Sequence, residues 1–341
     1  MRSRSKTLVA AMLLAGLLAP LSAGAAVVSL EIANKRGTQA TAPKEWLQLL
    51  AEVGVTGVRI RSARTGEQPS LETINSGRSE IHQVVGVLTS RDRLLLPGGT
   101  FTRRDRARLR DYFATLSADG AAGVTEAKGT FGLTKKQFEA VFDALSTPLR
   151  TTTKGKRLAT IIDDARTQLS MAISIDRPAR AALQDAEPIA DELATLSVGT
   201  ALTVALQSDN LALVPIKPLG KPVQLSVVPL RDDLERWPAG YPAKGAPRSI
   251  APDLMQAINV EIDGFTLAEA MAAITPRVEL PVLWDRAALR RHDIDPATID
   301  VRLPKSRLSY KRIFEKLLFQ ARLRGQLRVD ESGTPFYWIS R

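Results

Sequence analysis

Ala257-Ile-Asn-Val-Glu-Ile262, Thr266-Leu-Ala-Glu-Ala-Met-Ala-Ala-Ile274 and Leu280-Pro-Val-Leu-Trp284 succeed one another near the C-terminal end of the chain. The first and third read as short apolar strands and the second as a helix opened by a capping threonine. A short basic turn, a strand over Ile299-Asp-Val-Arg-Leu303, a second capped helix from Ser309 to Gln320 and a hairpin from Gly325 to Ser340 complete the pattern. Each piece alone is too small to bury a core. Together, Ala257 to Arg341 read as one small α+β module.

Working outward, the same grammar recurs upstream. Leu158 to Asp176 aligns without a gap to Leu267 to Asp285. Identities are few (Leu158/Leu267, Ala159/Ala268, Asp176/Asp285), but the apolar pattern agrees at Ile162/Met271, Ala165/Ile274, Leu169/Val278, Met171/Leu280, Ile173/Val282 and Ile175/Trp284. At the same offset, Leu149 to Thr153 becomes a candidate strand opposite Ile258 to Ile262. After a short gap Ser197 meets Ser309 as a helix cap, and Ala201, Leu202, Ala205 and Leu206 meet Ile313, Phe314, Leu317 and Leu318. Order and spacing kept over two helices and their flanking strands are how a tandem duplication looks. The stretch 231–250, with Pro238, Pro242, Pro247, Gly240 and Gly245, reads as a semi-extended linker that lets the copies swing.

Further upstream, Val27 to Ala33 is a strand by β-branched content, and Thr41 and Pro43 open a helix whose face is Trp46, Leu49, Leu50 and Val53. Val55 to Ile60 is a strand, Ser62 to Ser79 a polar connection, and His82 to Leu88 with Leu94 to Pro97 a hairpin across Ser90-Arg-Asp-Arg93. A helix opens near Thr102 with the stripe Leu109, Tyr112, Phe113 and Leu116. Thr134-Lys-Lys-Gln137 has capping-box spacing, followed by Phe138, Val141, Phe142 and Leu145. The expectation is a multi-domain α+β protein of small two-layer modules, short mixed sheets packed by two helices each. Its divisions are residues 1–25 as a signal peptide, 26–120 as an N-terminal α+β domain, 130–230 and 251–341 as the two modules, and 231–250 as their linker.

Composition narrows the classes. At 44% hydrophobic and 24% charged residues the chain is ordinary globular material. Arg2, Arg4 and Lys6, then the apolar Leu8 to Leu18, then Ala23-Gly24-Ala25 form a secretory signal with a small-residue cleavage site. No later stretch is long and apolar enough to span a bilayer. The expected location is the periplasm or cell envelope, soluble or peripheral after cleavage. There is no cysteine, so disulfides and thiolate metal sites are excluded. A net charge of +11, from 47 basic and 36 acidic residues, points to anionic partners. Export and the lack of any recognisable reading module turn that expectation away from nucleic acid.

The strand, the helix Thr266 to Ile274 and Leu280-Pro-Val-Leu-Trp-Asp285 together resemble the secretin and TonB short N-terminal domain. That family has a small apolar helix of the form leu-x-x-ala-leu-x-x-ile and then an apolar strand closing on an acidic residue. Ile299 to Leu303, Leu308 to Leu318 and the hairpin ending in Trp338-Ile339 continue the likeness. The resemblance covers the C-terminal module well, the upstream copy more weakly, and the first region not at all. It implies a βαββαββ-like periplasmic module that docks proteins and does not catalyse. In the family such modules precede a membrane barrel. The 341 residues read here end with the module, so pore or transport activity is not carried over.

No catalytic, cofactor or metal set emerges from the residues. His82 and His292 are the two histidines, one in an apolar strand and one in the turn Arg290-Arg-His-Asp293, without ligand spacing around either. Asp163-Asp164, Asp191-Glu192 and Asp232-Asp233 are adjacent pairs, which on a helix diverge by about 100 degrees and make no joint site. Gly98-Gly99 lacks the context of a phosphate loop. The densest basic run is Arg103-Arg-Asp-Arg-Ala-Arg-Leu-Arg110. On a helix, Arg103, Arg106 and Arg110 would share a solvent face available to an anionic partner.

The leading expectation is an exported, non-enzymatic protein whose modules dock an envelope or secretion-related protein, with the terminal hairpin and Val223 to Pro229 as the sheet edges offered. The alternatives are a binder of anionic envelope polymer through the arginine face and an enzyme of unrecognised type in the first region, which a pocket uniting His82 with several carboxylates would favour.

Overall fold

The computed structural model describes residues 27–76 and 79–341. The signal peptide expected over residues 1–25 lies outside them. The chain divides between Thr125 and Glu126 into two compact units, each with its own core. Both mix helices with small sheets of parallel and antiparallel strands, so the protein is α+β throughout. Among the described residues no helix is long and apolar enough to cross a membrane.

The N-terminal unit is a six-stranded sheet with two helices. Strand β1 (Val27–Asn34) leads through α1 (Ala42–Glu52) to β2 (Arg59–Ser62), which pairs with it in parallel. Strands β3 (Ser70–Ser76) and β4 (Ser79–Leu88) form an antiparallel pair, and β4 returns alongside β1 in parallel from Val27↔Ile81 to Asn34↔Leu88. The short strands β5 (Leu94–Leu96) and β6 (Gly99–Phe101) lead into α2 (Arg106–Thr125), broken at Gly120 by a φ of 72°. Trp46, Leu49 and Leu50 of α1 and Leu109, Tyr112, Phe113 and Leu116 of α2 enter one core, the stripes expected from their spacing.

The expected polar connection 62–79 instead contains β3. Its signal is the β-branched Thr73-Ile74 set among polar residues, which an edge strand tolerates because only one of its sides is paired.

The C-terminal unit opens with α3 (Lys135–Leu145), whose capping box between Thr134 and Gln137 is formed. There follow α4 (Leu158–Gln168), β7 (Ile173–Ile175), α5 (Arg177–Asp185), α6 (Val198–Ser208), β8 (Leu211–Ile216) and β9 (Gln224–Pro229). The second half comprises β10 (Tyr241–Pro242), α7 (Pro247–Ile250), β11 (Ala257–Thr266), α8 (Leu267–Ile274), β12 (Val282–Trp284), α9 (Arg286–Arg291), β13 (Asp300–Ser309), α10 (Tyr310–Gln320), β14 (Arg324–Val329) and β15 (Pro335–Ser340).

The two halves share a three-stranded arrangement. Strand β9 pairs in parallel with β7 and antiparallel with β8, and β15 does the same with β12 and β14. Registers correspond: Ile173↔Leu225 and Ile175↔Val227 in one, Val282↔Tyr337 and Trp284↔Ile339 in the other. The backbone bond from the Asp176 amide to the Val227 carbonyl has its counterpart from Asp285 to Ile339. Even the left-handed residue after the second helix recurs, Asn210 at φ 56° and Arg322 at φ 57°.

Three expectations are corrected here. Leu149 to Thr153 forms no strand; only an isolated bridge, Pro148↔Ser197, stands where β11 pairs with β13 in the second half. Pro148 has no amide to donate, and the Thr153 amide and hydroxyl turn to Glu192 and to the Asp191 carbonyl. Neither expected sheet edge is free: β9 lies between β7 and β8, and the terminal hairpin β14–β15 lies between β10 and β12. The stretch 231–250 is not a swinging linker: Trp237 is fully buried, and β10 pairs with β14.

The sheet β10–β14–β15–β12 is the wall between two cores. Phe336 and Trp338 of β15 point into the core of the first half, and Tyr337 and Ile339 into that of the second. A strand buried on both faces reads as a continuous apolar run, and Phe336-Tyr-Trp-Ile339 is one.

Candidate functional site

The basic run does not lie on one helix. Arg103 sits in the turn before α2, held there because the Asp105 carboxylate accepts from the Thr102 amide and hydroxyl, each at 2.8 Å. Those hydrogen bonds keep the Asp105 carboxyl below its ordinary range. Arg106 and Arg110 are on α2, and Arg110 stands apart from the groove that the other two help to line.

That groove, of about 780 Å³, runs between α1, the β4–β5 turn and the β6–α2 turn. Asp92 organises it. At φ 57° it turns the chain sharply, and its carboxylate accepts from the Trp46 indole at 2.8 Å and from Arg103 Nε at 2.5 Å. Arg103 also pairs with Glu45, and Arg106 with Glu52 at 3.0 Å. Two of the three arginines singled out from sequence are therefore already compensated.

The positive excess comes from residues that were not singled out. Arg91, Arg93 and Arg104 are exposed on the groove lining, and none has an ion pair among the described residues. A readable signal existed: the tripeptide Arg-Asp-Arg occurs at 91–93 and again at 104–106. The first copy falls in the β4–β5 turn and the second runs from the β6–α2 turn into the start of α2.

The histidines are not gathered with carboxylates into a site. His82 is 1% exposed, with Nδ1 3.0 Å from the Thr73 hydroxyl, and His292 ends α9 beside Arg341. Among the described residues no group of three His, Cys, Asp or Glu side chains could hold a metal ion.

In the C-terminal unit the notable chemistry lies where one half meets the other. Ser197 is the first residue of the α6 cap, yet its hydroxyl donates to Glu331 in the β14–β15 turn instead of capping its own helix. The Glu331 carboxylate also accepts from the Thr200 amide at 3.1 Å, the Thr200 hydroxyl at 2.8 Å and the Trp237 indole. Asp330 accepts from the Ser197 amide at 2.6 Å. The helix thus takes its anionic cap from the other half of the unit, where both hydrogen bonding and the helix dipole favour a carboxylate. Arg286 of α9 grips Asp191 with two bonds of 3.1 and 2.9 Å, and Arg290 donates to the Ser208 carbonyl.

No family model, curated protein or solved structure matches the chain.

Proposed function

We propose that this is an exported, non-enzymatic cell-envelope protein whose C-terminal unit is a duplicated pair of modules of the secretin and TonB short N-terminal type, used to dock another protein. One observation carries the reading: the second half already docks the first, through an acidic turn inserted at a helix N-terminus and an arginine of α9 that grips Asp191 with two bonds. The order β11–α8–β12–β13–α10–β14–β15, with α9 interposed, is the βαββαββ order of that family. The matching registers of the two halves support duplication.

The test couples location to binding. The full chain, expressed in a bacterium that exports proteins, should be cleaved near Ala25 and recovered in the periplasmic fraction. The cleaved form should then bind one envelope protein at a defined stoichiometry. Cytoplasmic retention, or binding to cell-wall polymer alone, would sink the proposal.

A second reading is favoured by the arginine groove: binding of anionic envelope polymer. It predicts retention on dextran sulfate that falls steeply with salt and drops about tenfold in Arg91→Glu/Arg104→Glu. Equal retention of variant and parent removes it.

A further inference from the structure

Helices α6 and α10 correspond residue for residue, from the caps Ser197 and Ser309 to Asn210 and Arg322. Their surroundings differ. Every residue from Val198 to Gln207 is buried. The outer stripe of α6 is covered by Leu145 of α3 and by the second half: Glu331 lies against Gly199 and Thr200, and Arg290 of α9 reaches the Gln207 carbonyl at 3.5 Å. The same stripe of α10 is Lys311, Arg312, Glu315 and Phe319; Lys311 and Glu315 are half-buried, while Arg312 and Phe319 are exposed. Phe319, in the place of the buried Gln207, is 79% exposed.

A single exposed aromatic needs no explanation. This one borders a groove of about 380 Å³ between α10 and β13, with Leu303 and Pro304 along its wall and Arg302, Arg312 and Lys316 at its rim. The other face of α10 is consumed by the core, where Ile313, Phe314, Leu317 and Leu318 are wholly buried. The basic rim outnumbers its acids: Glu315 is shared by Lys311 and Arg312, Asp263 holds Arg302, and Lys316 has no ion pair among the described residues.

We infer that the outer face of α10 and the groove beside β13 form the docking surface of this chain, and that its occupant is a partner-protein segment setting an apolar side chain among acidic ones. The inference rests on the docking reading above and places it. Within the chain, an acidic turn, Asp330-Glu331, meets the first turn of α6. At the matching positions α10 replaces Gly199 and Thr200 with Lys311 and Arg312, which would offer an acidic segment full charges where α6 offers Glu331 an amide and hydroxyls. A second copy of the chain is the poorer fit. The turn that matches Asp330-Glu331 in the first half is Pro218-Leu219, without an acid, and the helix matching α9 is α5, which would bring Arg177 and Arg180 against a basic face.

The experiment uses the isotopically labelled chain from Ala26 onward. It is titrated with an amphipathic peptide of glutamates flanking leucines, with its glutamine counterpart, and with polyglutamate. The first peptide should shift resonances of α10 and β13. Phe319→Gln and Lys316→Glu should each weaken it about tenfold, and the glutamine counterpart should bind less tightly. Because Phe319 and Lys316 are exposed, thermal melts of the variants should match the parent. Shifts centred elsewhere in the C-terminal unit would overturn this placement while leaving docking intact. Shifts confined to the arginine groove, or none with any peptide, would overturn both. Equal binding of the glutamine counterpart, or self-association abolished by Phe319→Gln, would overturn the acidic occupant.

Discussion

Glu331 shows how one side chain can decide a fold at the residue scale. It is 7% exposed and accepts from two hydroxyls and an amide of the first half and from the Trp237 indole of the stretch that joins the halves. Removing it strands those donors, so Glu331→Ala should cost about 3 kcal/mol in denaturant unfolding. Gly199 is its necessary neighbour, since an added Cβ would lie 2.5 Å from Glu331 Oε1 and 2.9 Å from Leu145 Cβ. Gly199→Ala should cost about 1–3 kcal/mol, and less in a Glu331→Ala background; full additivity would show that the contact is not shared. In the N-terminal unit, hydrogen bonds from Arg61 and from the Arg64 amide hold the Glu67 carboxyl down to about 2, from an ordinary 4.5. A depressed carboxylate stabilises above its unfolded value and loses that stabilisation as pH falls through its folded one. Amide-exchange protection of β1 and β2 should therefore fall between about pH 4.5 and 2, more steeply than in Glu67→Gln. None of this was legible beforehand. Nothing near Glu331 in sequence announces partners 94 to 134 residues away.

Elements with local signals were legible, and those defined by distant partners were not. The capping boxes at Thr134 and Thr266, the stripes of α1, α2 and α3, and the hairpin across residues 90–93 follow from spacing and cap chemistry within a few residues. The site was half legible: Arg103 and Arg106 do line a groove, but the assumption of continuous helix added Arg110 and passed over Arg104, and Arg91 and Arg93 were read only as turn residues. Helix α8 and helix α6 show the difference between a cap that is local and one that is imported. In α8, Thr266 accepts from the Glu269 amide at 3.3 Å while Glu269 reaches back at 2.9 Å. Thr266→Ala should cost about 1 kcal/mol, with the loss of exchange protection confined to the first turn of α8. Ser197→Ala removes no self-cap from α6, since its hydroxyl donates to Glu331. Its effect should be read in the β14–β15 turn, far along the chain.

At the scale of the whole molecule, the largest departure from the sequence reading is that the two expected modules are not beads on a linker. Proline and glycine between residues 231 and 250 signal an irregular path, but they do not say whether that path is solvated or buried. Trp237 decides it, stacking on Phe131 at 5.9 Å between ring centres and bonding to Glu331. The shared sheet makes the consequence thermodynamic. Because β15 sends Phe336 and Trp338 into one core and Tyr337 and Ile339 into the other, neither half keeps its core when β15 leaves. The two halves should therefore unfold in one transition. Phe336→Ala, at a fully buried position, should cost about 3–5 kcal/mol. Although Phe336 contacts only the first core, exchange protection should fall by the same factor in α4 and α6 as in α8 and α10. Loss limited to α4 and α6 would mean that the halves are separately stable. That result would also weaken the case that their interface is a model for how this chain receives a partner.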